Sequence, residues 1–167
     1  KIKADAIITD QKKIPIAVLT ADCVPVLLYD IEKNIIAALH AGWKGAFKGI
    51  VDKVIDFMIK KGCKRNKIIA AIGPCIGPRN YNVKENFKKK FLKKNIKNKI
   101  FFTNRENMVF FDLPNYVKSQ LKLNKIINID MKNIDTFPYK NNFFSARQAL
   151  RSKHDDYGRN ISIIMIN

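Results

Sequence analysis

Cys23 and His40 are the side chains of this sequence whose types and spacing point most directly to chemistry. They lie in two short phrases, Thr20-Ala21-Asp22-Cys23-Val24-Pro25 and Leu39-His40-Ala41-Gly42-Trp43-Lys44-Gly45, each at the end of an apolar run. A thiol and an imidazole that meet in space supply either two ligands for a metal ion or a nucleophile with its base. Read singly, each has a plainer role. A free cysteine commonly serves as a small buried hydrophobe, and a strand-end histidine can simply bond a backbone carbonyl. Together, at the two ends of a hairpin-like unit, they point to a shared site. The loop after His40 adds glycines that let backbone approach a ligand and an indole, Trp43, that can wall a pocket.

The elements that must position the pair are short apolar runs. Ala4 to Thr9, Pro15 to Thr20, Val24 to Tyr29 and Ile35 to His40 read as strands, and their Val, Ile and Leu content predicts burial on both faces. The connections between them are too short for helical crossovers, which argues against parallel βαβ units at this end of the chain. Ala46 to Lys61 reads as a helix with Ile50, Val54, Phe57 and Met58 on its inner face and Gly62 as C-terminal cap. Ile68 to Ile72 reads as a strand running into the rigid loop Gly73-Pro74-Cys75-Ile76-Gly77-Pro78. Further on, Lys84 to Lys94 predicts a basic amphipathic helix packed through Phe87 and Phe91. Pro114 to Leu123 predicts another, started near Asp112. Ile126 to Ile129, Ile161 to Ile166 and the short Phe143-Phe144-Ser145 complete the expected strands. The fold class is therefore α+β, with mixed sheets flanked by helices in one domain over 1–167.

The net charge of +18 invites a nucleic-acid reading. Its makeup points elsewhere: lysine dominates, in solvated runs such as Lys88-Lys89-Lys90 and Lys93-Lys94, without the aromatic and glycine-rich motifs of RNA binding. No specific nucleic-acid partner is expected. No apolar run approaches the ~18 residues of a membrane span. Three cysteines without a disulfide-framework spacing suit a reducing, cytoplasmic setting. Neither Gly42-x-x-Gly45 nor Gly73-x-x-x-Gly77 completes a dinucleotide or phosphate-loop fingerprint.

The segments Thr-Ala-Asp-Cys-Val-Pro-Val-Leu-Leu, Ala-Ala-Leu-His-Ala-Gly-Trp-Lys-Gly and Ala-Ile-Gly-Pro-Cys-Ile-Gly resemble the signature of the laccase-domain family. The likeness continues through Phe111-Asp112-Leu113, Asp135-Thr136, Phe143-Phe144-Ser145-Ala146-Arg147 and Gly158-Arg159. It implies an αββα-like sandwich and a purine nucleoside phosphorylase acting on adenosine, inosine and methylthioadenosine, with adenosine deaminase activity. It also implies a zinc-type site, with copper as the alternative metal, in which Cys23 and His40 are two of three protein ligands. The third would be a histidine in a segment upstream of Lys1, so the chain is expected to be an N-terminally shortened form. Ser145 and Arg147 match a Phe-Ser-x-Arg phrase and are candidates to receive phosphate or ribose, Arg through its planar fork of donors. Trp43 is the candidate wall of the substrate pocket. The plainer alternatives are a helix-capping Ser145 and a surface Arg147. Phe137 departs from the pattern, standing where relatives often carry cysteine, and Arg159 reads as structural.

Within the chain, Cys75 and His154 are the candidate substitutes for the missing ligand, while Cys63 reads as structural or exposed. Three functions compete. The first is the metal-dependent phosphorylase and deaminase, with a purine nucleoside and phosphate as its small-molecule partners. The second is a thiol hydrolase or amidase, with Cys23 as nucleophile, His40 as base, and Asp22 or a distant carboxylate as orienter. The third is a catalytically impaired remnant lacking one ligand. A true multicopper oxidase would need more histidines than this sequence holds.

Overall fold

The central element is an antiparallel hairpin, the strands β3 (Val24–Asp30) and β4 (Ile35–Ala41), paired from Val24 opposite Ala41 to Asp30 opposite Ile35. Its turn is held by Asp30, whose buried carboxylate accepts from the backbone N–H groups of Glu32, Lys33 and Lys64. This computed structural model describes residues 4–154 and 156–167. Around the hairpin, β1 (Ala6–Thr9) joins β4, and β5 (Ile68–Ile72) joins β3, both antiparallel. A late strand, β9 (Asn128–Met131), adds in parallel to β5 and makes the sheet mixed. A second sheet pairs β2 (Ile16–Thr20) with β10 (Asn160–Ile164).

Both faces of the hairpin are covered, which is why its strands are continuous apolar runs rather than alternating ones. Val24, Val26, Leu28, Ala37, Leu39 and Ala41 enter the larger core, on the helix side. Ile36 and Ala38 pack with Ile16, Val18 and Ile166 in a smaller core beneath the second sheet. The layers run helix, sheet, sheet, and the fold is the α+β arrangement of mixed sheets and flanking helices that the sequence predicts.

The single helix expected over Ala46 to Lys61 is instead two, α1 (Trp43–Phe47) and α2 (Ile50–Lys60). Gly49 separates them with φ of +78°, a left-handed conformation that favours glycine, and helix formation begins three residues earlier than expected. The buried stripe of α2 is Val51, Val54, Ile55 and Met58; Phe57 faces outward at 45% exposure, a correction to its expected inner position. Gly62 ends the helix as expected, with φ of +90°.

The basic helix α3 (Glu85–Lys94) and the helix α4 (Leu113–Leu123) form as predicted, and Asp112 caps α4 by accepting from the Asn115 N–H at 3.0 Å. Beside α3 lies an unforeseen three-stranded sheet of β6 (Asn82–Val83), β7 (Phe102–Arg105) and β8 (Met108–Phe111). Its strands are too short and too polar in places to announce themselves by periodicity. Aromatic packing locks α3 onto it: Phe87 and Phe91 stack at 4.8 Å, Phe91 meets Phe111 at 4.9 Å, and Phe102 stacks on Phe111 at 4.8 Å. Phe143 to Ser145 is not a strand. Ser145 is the N-cap of a six-residue helix, α5 (Ala146–Arg151), and its Oγ accepts from the Gln148 N–H at 3.1 Å. No helix among the described residues is long and apolar enough to cross a membrane.

Candidate functional site

The β3–β4 register places Pro25 opposite His40, so Cys23, two positions before Pro25, reaches the same end of the hairpin. Cys23, His40, Asp5, Gly42, Trp43, Lys44 and Gly45 line one cleft of about 320 Å³. Gly42 lies beside both side chains. A Cβ built there would stand 3.0 Å from Cys23 Sγ and 3.8 Å from His40 Nε2. Thiol and imidazole therefore border one small volume that any side chain at position 42 would fill.

Asp5, which the sequence did not flag, completes this corner. Its backbone carbonyl accepts from the His40 N–H at 2.8 Å, and its carboxylate Oδ1 lies 3.1 Å from His40 Nδ1. Burial, with the carboxylates of Asp22 and Asp5 nearby, pushes the Cys23 thiol up to about 11. A thiol in that environment is protonated at neutral pH and is a weak nucleophile unless a cation joins it.

Trp43 belongs to two clefts. On its other side a groove of about 620 Å³ is lined by Tyr81, Asn82, Lys84, Phe87, Lys90 and Arg147 among others. Trp43 and Phe87 meet edge to face at 4.9 Å, and Lys90 Nζ lies 5.4 Å from the indole centroid. The Arg147 guanidinium sits 5.2 Å from the Tyr81 ring and donates to Asn82 O at 2.9 Å and Asn82 Oδ1 at 2.5 Å. The groove thus offers aromatic walls and several cations beside the thiol–imidazole corner. Tyr81 and Lys90 were not legible in advance, because only the fold brings β6 and α3 to face Trp43.

The other expected residues divide clearly. Ser145 is buried and caps α5, the plainer of its two readings. Arg147 lines the groove, and part of its fork is held by Asn82. Asp22 is unavailable as an orienter for His40. Its φ is +82°, and its carboxylate accepts from Thr136 Oγ1 at 2.8 Å and from the Arg147 N–H at 2.6 Å. Cys75 is buried at an isolated bridge to Asp135 and lines a different cavity, which also contains Asp112 and Asn80. His154 lies beside Tyr139, Phe143 and Tyr157, in another pocket. Neither substitute ligand reaches the Cys23–His40 cleft. Cys63 is buried, and Arg159 donates to the carbonyls of Tyr157 and Gly158, the structural role expected for it. Phe137 packs under the Arg151 guanidinium at 4.8 Å.

Comparison with known proteins agrees with the phrases that frame this corner. The family described as multi-copper polyphenol oxidoreductase laccase matches residues 1–167. The chain belongs to this family. Within it, the sequence is 40% identical over 151 residues to a purine nucleoside phosphorylase of Rickettsia prowazekii, covering 88% of this chain and 61% of that protein. A purine nucleoside phosphorylase of Rickettsia conorii is also 40% identical, over 163 residues, covering 95% of this chain and 66% of the relative. The chain thus spans somewhat less than two thirds of the length of these two relatives. Among solved structures, the hypothetical protein YfiH of Bacillus licheniformis superimposes with a TM-score of 0.86 at 30% identity, covering 98% of this chain and 61% of that one.

The donor chemistry of the corner fits a metal of the thiolate-and-imidazole type. Cys23 and His40 supply one sulfur and one nitrogen to a shared volume, and Asp5 occupies the outer position that commonly orients a histidine ligand. Among the described residues no group of three or more His, Cys, Asp and Glu side chains converges for a metal. The expected third ligand, upstream of Lys1, lies outside the described residues.

Proposed function

We propose that this chain carries the core of a metal-dependent purine nucleoside phosphorylase that acts on adenosine, inosine and methylthioadenosine in the cytoplasm, with deamination of adenosine as a second activity. The observation that carries the proposal is the shared space at Gly42, whose absent Cβ would stand 3.0 Å from Cys23 Sγ and 3.8 Å from His40 Nε2. Zinc, or copper in its place, would be held by these two atoms and would supply Lewis-acid polarisation of the substrate or of its attacking oxygen. Cys23 would give up its proton on binding the ion, and His40 would bind as a neutral imidazole. Trp43 would separate the ion from the base-binding groove and offer its face to the purine. Arg147 and Lys90 would attract phosphate toward C1′ of the ribose, where displacement of the purine yields ribose 1-phosphate. For deamination, water would replace phosphate as the incoming group, attacking C6 of adenosine with release of ammonia.

The thiol-hydrolase reading uses the same atoms, with Asp5 rather than Asp22 as the orienter. The environment of Cys23 disfavours it, because burial and two nearby carboxylates raise the thiol where a nucleophile needs the opposite. The two readings separate in one assay. Adenine release from adenosine that requires phosphate and stops with a chelator supports the phosphorylase. Turnover that survives the chelator and is blocked by thiol alkylation contradicts it.

A further inference from the structure

We infer that Asp5 is a positioning residue that holds His40 in the neutral tautomer with the proton on Nδ1 and the lone pair on Nε2, at the ring edge beside the Gly42 space. Three observations carry this inference. Asp5 precedes β1, whose antiparallel pairing of Ala6 with Leu39 brings it beside His40. Its backbone carbonyl then takes the His40 N–H at 2.8 Å, which fixes the two residues relative to each other independently of their side chains. Its carboxylate Oδ1 lies 3.1 Å from Nδ1, and a carboxylate can only accept, so the ring nitrogen must be the donor. The opposite edge of the ring, Cε1 and Nε2, is the edge that faces the Gly42 space, at 3.7 and 3.8 Å from the Cβ that glycine lacks.

The consequence is a division of labour between the two ring nitrogens. Which nitrogen of a neutral histidine carries the proton is set by the hydrogen bond that the other face makes. Without Asp5 the proton distributes over both nitrogens, and the tautomer with Nε2 protonated has no lone pair to offer to the Gly42 space. With Asp5 in place, Nε2 is available before any ligand arrives. The Asp5 side chain is 60% exposed, so its bond to His40 contributes little to folding. Its effect falls on the state of one ring.

The use of that lone pair rests on the phosphorylase reading, but the tautomer itself can be read without it. The chain has only two histidines, so His154, in another pocket, is an internal reference. Long-range proton–nitrogen NMR spectra of the metal-free protein at about pH 8, where imidazole is ordinarily neutral, are expected to show His40 protonated on Nδ1. Asp5→Asn keeps an oxygen acceptor and is expected to retain that pattern. Asp5→Ala is expected to shift His40 toward Nε2 protonation while His154 and the backbone spectrum stay unchanged. In a parallel titration with zinc alone, Asp5→Ala is expected to bind about tenfold more weakly than the parent. The inference is overturned if Asp5→Ala leaves the His40 tautomer as it was, or if the parent already carries the proton on Nε2. A tautomer shift in a protein whose parent takes up no zinc would leave Asp5 in its role and sink the metal-site reading instead.

Discussion

Asp22 and Cys23 are adjacent in the chain, yet they end in opposite kinds of environment. The Asp22 carboxylate is buried with both oxygens engaged, one by Thr136 Oγ1 and one by the Arg147 N–H, and its own carbonyl accepts from the Ile76 N–H at 3.0 Å. Those bonds tie the start of β3 to the loop after β5, to the segment after β9 and to the N-terminus of α5. Cys23, one residue on, lines an open cleft with His40. Within one phrase, then, the carboxylate is spent on assembling the fold, while the neighbouring thiol keeps its bonding capacity for something that enters the cleft.

The comparison breaks most readily at Asp22. Replacing it with alanine orphans the Thr136 hydroxyl and the Arg147 N–H and places a Cβ-bearing residue without a compensating side chain at φ of +82°. A loss of about 3 kcal/mol in urea unfolding is expected. Asp22→Asn, which tolerates the left-handed backbone and can accept one of the two bonds, is expected to lose less. An Asp22→Ala protein as stable as the parent would contradict the structural role.

The thiol side is sharpened by alkaline titration. The folded Cys23 thiol is raised from 9.0 to about 11, so in the metal-free protein it stays protonated where the unfolded chain would ionise. Stability from this group is therefore fully present below pH 9.0 and is lost as pH rises toward 11. Cys63 and Cys75, raised to about 11 and about 12, act in the same direction. Between those limits, the fall in unfolding free energy is expected to be shallower in Cys23→Ala by at most about 1.4 kcal/mol per pH unit. Equal slopes in the two proteins would show that the thiol is not desolvated.

Ser145→Ala removes the cap of α5 and is expected to cost about 1 kcal/mol in the same unfolding assay. It should leave KM for phosphate unchanged, since Ser145 Oγ is engaged by Gln148. A large rise in KM with unaltered stability would show that Ser145 binds substrate and contradict a purely capping role. The smallest effect is expected at neutral pH for Cys23→Ala, whose side chain makes no hydrogen bond among the described residues. Its unfolding free energy is expected to fall by less than about 1 kcal/mol, in contrast to its neighbour.

What was legible in the sequence follows from the same physics. The hairpin that brings Cys23 and His40 together was readable because both its faces are buried, so its strands are unbroken apolar runs, and its two ends carry distinctive phrases. The split between α1 and α2 turns on the backbone of Gly49, which a side-chain pattern does not report. The strands β6, β7 and β8 are too short to show a period, and α5 was hidden because Phe143-Phe144-Ser145 reads as strand until Ser145 is seen to cap. Asp5 escaped notice because its partner lies 35 positions away and only the β1–β4 register joins them. Tyr81 and Lys90 reach the groove through tertiary packing alone.

Cobalt substitution is the most direct test of the proposal that Cys23 and His40 hold one metal ion. Adding cobalt(II) to the metal-free protein is expected to produce a thiolate-to-metal charge-transfer absorption. That band should vanish in Cys23→Ala, weaken in His40→Ala and survive in Cys75→Ala. A protein that gives no such band, or whose band persists without Cys23, would contradict the account.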